Sequence, residues 1–205
     1  MGNGLSRTGD LFQKCIQFFV QGRFDDAYDC FSQCISLDKE LAPAYSIRAA
    51  VDMRRGRPQH ALDDITEAIN LVPGNPGYIH NRAVVLAAIG RIREAIQEYE
   101  KVLDIDPSSS GTLNNLAWLF TNAPDPSMRD CRKAIEYAKR AVEANRSGAW
   151  LDTLAAAHAE CGEFEMAIKI EKEAFAKSNH RNQAFKQRLE LYGQGISYAR
   201  QRFGK

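Results

Sequence analysis

The chain has 205 residues, 44% of them hydrophobic and 26% charged, an ordinary balance for a soluble globular protein. Its 26 acidic and 27 basic residues leave a formal charge of +1, so no global field draws it to nucleic acid or to an anionic membrane. No apolar run is long enough to span a bilayer, and Gln13, Lys14 and Gln17 break the apolar stretch that a secretory leader would need.

At the N-terminus, Met1-Gly2-Asn3-Gly4-Leu5-Ser6 fits the short myristoylation pattern, and acylation of Gly2 would make the protein a lipid-anchored adaptor. Residues 1–7 are expected to be flexible. Residues 8–41 read as two helices meeting at Gly22. Cys30 and Cys34 stand four apart, on one helix face. The five cysteines, Cys15, Cys30, Cys34, Cys131 and Cys161, form an odd set with no CxxC pair. Cys30 and Cys34 therefore read as small apolar residues between helices rather than as a redox or metal pair. A reducing, cytoplasmic setting follows from that reading.

Residues 42–75 show the pattern most clearly. A helix over 43–55 closes at Gly56, a residue suited to the left-handed helix end. A second runs over 58–71 with Pro58 in its first turn, where a missing N–H costs little. Ala61 and Ala68 share one face and let two helices approach closely. The breakers Val72-Pro73-Gly74-Asn75-Pro76 then turn the chain. Residues 76–109 repeat this at a step of 34, with Gly90, Ala95, Ile105 and Pro107 following Gly56, Ala61, Leu71 and Pro73. Gly22, Ala27 and Leu37 precede them by the same step.

Past Pro107 the period breaks. Leu113, Leu116, Ala117 and Phe120 continue a first helix. Asn122-Ala123-Pro124-Asp125-Pro126-Ser127 then lengthens the turn before a second helix over 131–144. Ala134 follows Ala95 by 39 residues, an insertion of about five relative to the period. Residues 148–181 carry a fifth unit with Leu151, Leu154, Ala155, Gly162, Ala167 and Ala174. In 182–205, Phe185, Leu189 and Tyr192 mark one more amphipathic helix. The tail after Gly193, with Arg200, Arg202 and Lys205, reads as a solvated basic segment.

Tyr45, Ala49, Gly56, Ala61, Ile65, Ala68 and Pro73, and again Ile79, Arg82, Ala83, Leu86, Gly90, Ala95, Tyr99 and Pro107, resemble the tetratricopeptide repeat. Over 110–192, the Leu113–Trp118 segment, the Pro-Asp-Pro turn and the run from Leu151 look like a repeat pair common in bacterial members. The resemblance implies an all-α fold, a right-handed superhelical array of about five antiparallel helix hairpins with a C-terminal capping helix. The repeats would cover 8–41, 42–75, 76–109, 110–147 and 148–181, and the cap would cover the last apolar face.

The resemblance also implies a non-catalytic scaffold that binds a peptide or helix of another protein in a concave groove lined by the first helices. The groove residues would be Arg54, His80, Asn81, Asn114, Asn115, Trp118, Asn122 and Asp152. Asn81 and Asn115 stand one period apart, and an amide offers both a donor and an acceptor to a peptide backbone. Trp118 suits an apolar anchor. Members that clamp acidic chaperone tails use cations at set groove positions. Here those positions hold Phe12, Ile16, Ile47, Gly77 and Asn81, or one unit later Ser46, Ala50, Asn81, Gly111 and Asn115. Chaperone-tail binding is therefore not expected.

Catalytic signals are weak. His60, His80, His158 and His180 fall in different units, and no HExxH, P-loop or GxGxxG occurs. His158 and Cys161 lack the further ligands that a closed zinc site needs. The expectation is a monomer with no enzyme activity, cofactor, metal or small-molecule substrate. Docking of the outer face or tail within a larger assembly is the alternative.

Overall fold

The computed structural model describes residues 3–204, with side chains from Thr8 onward, and Gly2 with its acylation signal lies outside that range. Among the described residues every regular element is helical, and no helix is long and apolar enough to cross a membrane. The chain divides into two compact units, residues 1–101 and 102–205.

The first unit contains α1 (Asn3–Val20), α2 (Phe24–Leu37), α3 (Ala42–Arg54), α4 (Pro58–Leu71), α5 (Pro76–Ala88) and most of α6 (Ile92–Ile105). Successive helices pack as antiparallel pairs because the sequence supplies both the stops and the close contacts. After α3, Gly56 takes a φ of +70°. Its N–H bonds the Met53 carbonyl at 3.3 Å and the Arg57 N–H bonds the Asp52 carbonyl at 2.8 Å, the hydrogen-bond pair of a Schellman end. The same pair of bonds closes α1 at Gly22 and α5 at Gly90. Asn75 starts α5 by accepting from the Gly77 and Tyr78 N–H groups, with Pro76 at the first helical position. Ala27, Ala61 and Ala95, one period apart, are all fully buried at the helix contacts.

A second periodic feature ties each pair together. Arg48 of α3 donates two bonds to the Asp64 carboxylate of α4, both at 2.7 Å. One period later Arg82 of α5 grips Glu98 of α6 at 2.7 Å and 3.1 Å. The first hairpin lacks this ion pair. There Cys15 and Cys30, one period before Ala49 and Asp64, form a disulfide between α1 and α2. The reading of Cys30 as a free packing residue is thereby corrected. Cys34 is the free, fully buried thiol, 3.6 Å from the Cys15 sulfur.

The second unit holds α7 (Ser110–Asn122), a 3₁₀ turn (Pro126–Met128), α8 (Cys131–Ala144), α9 (Gly148–Glu160), α10 (Phe164–Lys177), α11 (Gln183–Gly193) and α12 (Tyr198–Phe203). The lengthened turn replaces the glycine end seen elsewhere. Asp125 caps the 3₁₀ turn and Asp130 caps α8 through the Lys133 N–H. A second disulfide, Cys131–Cys161, joins the start of α8 to the end of α9. Helix α11 packs on α10 and buries Phe185 and Tyr192, as a cap should. The tail departs from the solvated segment expected of it. It forms α12, which turns back onto α9 and α7 while Arg200 and Arg202 stay exposed.

Candidate functional site

The first helices of the two units differ in what they leave open. On α5, Gly77, Asn81, Val84 and Ala88 are all exposed at i, i+4, i+7 and i+11, a continuous stripe along one side of the helix. On α9, every residue from Leu151 to Ala159 is buried, so no such stripe exists.

The open stripe borders a hollow of about 350 Å³ in the first unit. Phe19 of α1, Ala50, Met53 and Arg54 of α3, and Asn81 and Val84 of α5 line it. The apolar floor comes from the small residues at the helix contact. Asn81 is held at the wall by a 3.3 Å bond from its amide nitrogen to the Ser46 hydroxyl. Arg54 stands exposed in the last turn of α3. His80, one residue before Asn81, turns toward α6 instead. Its ring lies 5.3 Å from that of Tyr99, and burial pushes its pKa below the usual imidazole range.

In the second unit the sequence-predicted residues meet the chain's own C-terminal helices. Trp118 faces Tyr198 of α12, ring centroids 5.9 Å apart, and the Arg188 guanidinium of α11 lies over both rings. Asp152 accepts from Arg188 at 2.6 Å. Asn122 is buried and donates to the Trp118 carbonyl at 3.2 Å. Asn114 and Asn115 are half-buried on the same helix. The structure thus brings Arg54 and Asn81 together at the open hollow and gathers Trp118 and Asp152 beneath α11 and α12.

Sequence reading missed one group here, the acid cluster under the cap. Glu171 of α10 is fully buried, and neither of its carboxyl oxygens meets an N–H or O–H donor. Burial first, then the neighbouring Asp152 charge, pushes its pKa up to about 10, so it holds its proton and hydrogen-bonds Asp152. Burial likewise raises the Tyr192 phenol beside it. The signal in the sequence was Glu171 at a core-facing helix position among Ala167, Ile170 and Ala174. Among the described residues no group of three or more His, Cys, Asp or Glu side chains is placed to hold a metal ion.

Consecutive antiparallel helix pairs, ended by glycine and spaced by buried alanines at one period, define a helical-repeat protein. Residues 76–109 match the tetratricopeptide repeat family, and the fold of the chain is that of tetratricopeptide repeat proteins. No curated protein matches it. Among solved structures it is similar to a tetratricopeptide repeat protein from Parabacteroides merdae, with 16% identity, 92% of this chain and 73% of that one covered, and a TM-score of 0.74. A thermophilic tetratricopeptide protein from Thermus thermophilus shares 14% identity over 92% of this chain and 98% of its own, with a TM-score of 0.72. The first tetratricopeptide domain of Spaghetti, solved bound to an HSP90 peptide, shares 25% identity over 54% of this chain and 88% of its own, with a TM-score of 0.52.

Proposed function

We propose that the protein is a non-catalytic interaction module that holds a segment of another protein against the first helices of its first unit. The observation that carries this reading is the open stripe on α5 beside an apolar hollow of about 350 Å³. A concave, mostly apolar site with a few polar groups at its wall is the usual form of a binding pocket. The Spaghetti domain of similar fold takes a peptide, which supports a protein segment as the ligand here. Repeats at 8–41, 42–75 and 76–109 would supply the binding face, and those at 110–147 and 148–181 the capped end.

A photo-crosslinking residue placed at Val84 or Arg54, and separately at Asn70 on the exposed side of α4, tests this in the native cell. Adducts from the first two positions are expected; adducts from Asn70 alone would favour docking by the outer face and sink the groove reading.

The compartment has two competing readings. The cytoplasmic setting rests on reading Cys30 and Cys34 as free packing residues, whereas two disulfides favour an oxidising one, because structural disulfides are rare where glutathione keeps thiols reduced.

A further inference from the structure

The open hollow has a filled counterpart in the same chain. Val84 stands one repeat before Trp118 and Ala50 two repeats before it. The place of Trp118 on α7 is therefore the place of the hollow on α3 and α5. In the second unit a helix covers that place. Helix α12 sets the Tyr198 ring against Trp118 and buries Ala199 completely. A seat of this kind accepts a short helix that leads with one aromatic ring and a small residue beside it.

The two seats differ in charge. The second-unit face carries Asp152 and Glu160, and the segment lying on it is cationic. Arg188 pairs with Asp152, Ser197 of the α12 cap donates to Glu160 at 2.5 Å, and α12 itself bears Arg200 and Arg202. The first-unit hollow has no acidic residue in its lining, and its one charged side chain is Arg54. Among the described residues Arg54 is exposed and makes none of the ion pairs that occupy Arg48, Arg55 and Arg82. A cationic helix such as α12 has the wrong sign for this seat, whereas a carboxylate gains a charge-assisted bond there.

We propose that the hollow binds a short amphipathic helix of a partner protein, carrying an aromatic side chain for the apolar floor and, one turn away, a carboxylate for Arg54. This refinement rests on the groove reading above. The aromatic ring fits the Phe19 and Met53 walls, since rings and thioethers pack favourably together. One turn of helix places the carboxylate on the same face as the ring.

The test uses the full chain and three fluorescein-labelled synthetic helical peptides, read by anisotropy. One carries Phe with Glu at i+4, the second replaces that Glu by Lys, and the third replaces the Phe by Ala. The Phe/Glu peptide is expected to bind roughly tenfold tighter than either of the others, the equivalent of one charge-assisted or buried aromatic contact. Its advantage over the Lys peptide should shrink as salt rises. Arg54→Glu should invert the Glu/Lys preference. Val84→Trp, which fills the hollow with the residue that the next repeat carries, should abolish binding while the circular dichroism stays unchanged.

Equal binding of the Glu and Lys peptides, still lost in Val84→Trp, would overturn the acidic class and leave the groove reading standing. Binding that survives Val84→Trp would overturn both. No saturable binding of the Phe/Glu peptide would also reject the proposal, and the crosslinks at Val84 and Arg54 would then judge the groove reading by themselves.

Discussion

Arg48 and Arg82 stand one repeat apart, and each fixes the carboxylate of the next helix with its guanidinium. The pairs are mostly withdrawn from water: Asp64 and Glu98 side chains are 12% and 9% exposed. Removing one partner strands the other, and that loss outweighs what the pair itself contributes. Arg48→Ala is expected to cost about 3 kcal/mol in urea unfolding, toward the low end for breaking a buried pair because some water reaches this one. Arg48→Met with Asp64→Leu should recover most of it. The ladder was present in the sequence as Arg48/Arg82 and Asp64/Glu98 at the same step. The exchange of Asp for Glu and the separation of 16 residues hid it. Spacing of that kind shows which positions correspond between repeats, not which of them touch.

Glu171 sets a pH dependence of its own. Asp152 of α9 and Arg188 and Tyr192 of α11 face it. Its folded pKa, pushed up to about 10, lies above the ordinary 4.5. The neutral acid's contribution is therefore complete below the ordinary range and is lost as pH rises toward the folded value. Asp152 is shifted the same way by burial and adds to the trend. Denaturant midpoints are expected to fall between about pH 5 and about pH 9, and Glu171→Gln should flatten that fall. An unchanged slope in the variant would assign the trend to other groups.

At the scale of elements, the small residues and stops that repeat at one step did their predicted work. Ala61 and Ala95 are fully buried where helices meet, and Gly56 and Gly90 end α3 and α5 with φ values of +70° and +83°. Those features are local, set by the residue and its immediate neighbours, which is why the sequence carries them legibly. The place of α12 is not local. Its six residues contain one hydrophobic face too short to reveal a period, and the contact with Trp118 spans the whole second unit. The cap itself was legible from Phe185 and Tyr192, whereas the return of the chain after Gly195 was not.

That return makes a clear prediction for fluorescence. The protein has two tryptophans, Trp118 and Trp150. Deleting residues 198–205 removes the Tyr198 ring and opens Trp118 to water, so the emission should shift to the red. The helix hairpins should remain helical by circular dichroism. An unchanged spectrum would mean that α12 does not cover Trp118 in solution.

For the molecule as a whole, the disulfides stand where the repeat chemistry is interrupted. Cys30 of the first disulfide takes the place of Asp64 in the hairpin that lacks the ion pair, and Cys131–Cys161 ties the hairpin whose turn was lengthened to the end of the helix that follows it. Linking residues 15 and 30 apart in sequence restricts the unfolded chain by roughly 3 kcal/mol each in the loop-entropy account. Protein isolated without reductant is expected to titrate one thiol after denaturation, Cys34, and its melting temperature should drop when reductant is added. Five titratable thiols would place the chain in a reducing compartment and remove both braces.

Helix α12 has one further consequence, for stoichiometry. A chain of similar hairpins could in principle take several copies of one ligand along its length. With the seat on α7 and α9 taken by α12, the proposed binding through the first-unit hollow would use one seat per molecule among the described residues. Under that proposal the molecule would bind monovalently and would coat a partner bearing many copies of the recognised helix rather than cross-link it. Any gain from avidity would have to come from a second binding module or from self-association, since tethering two sites is what raises effective concentration.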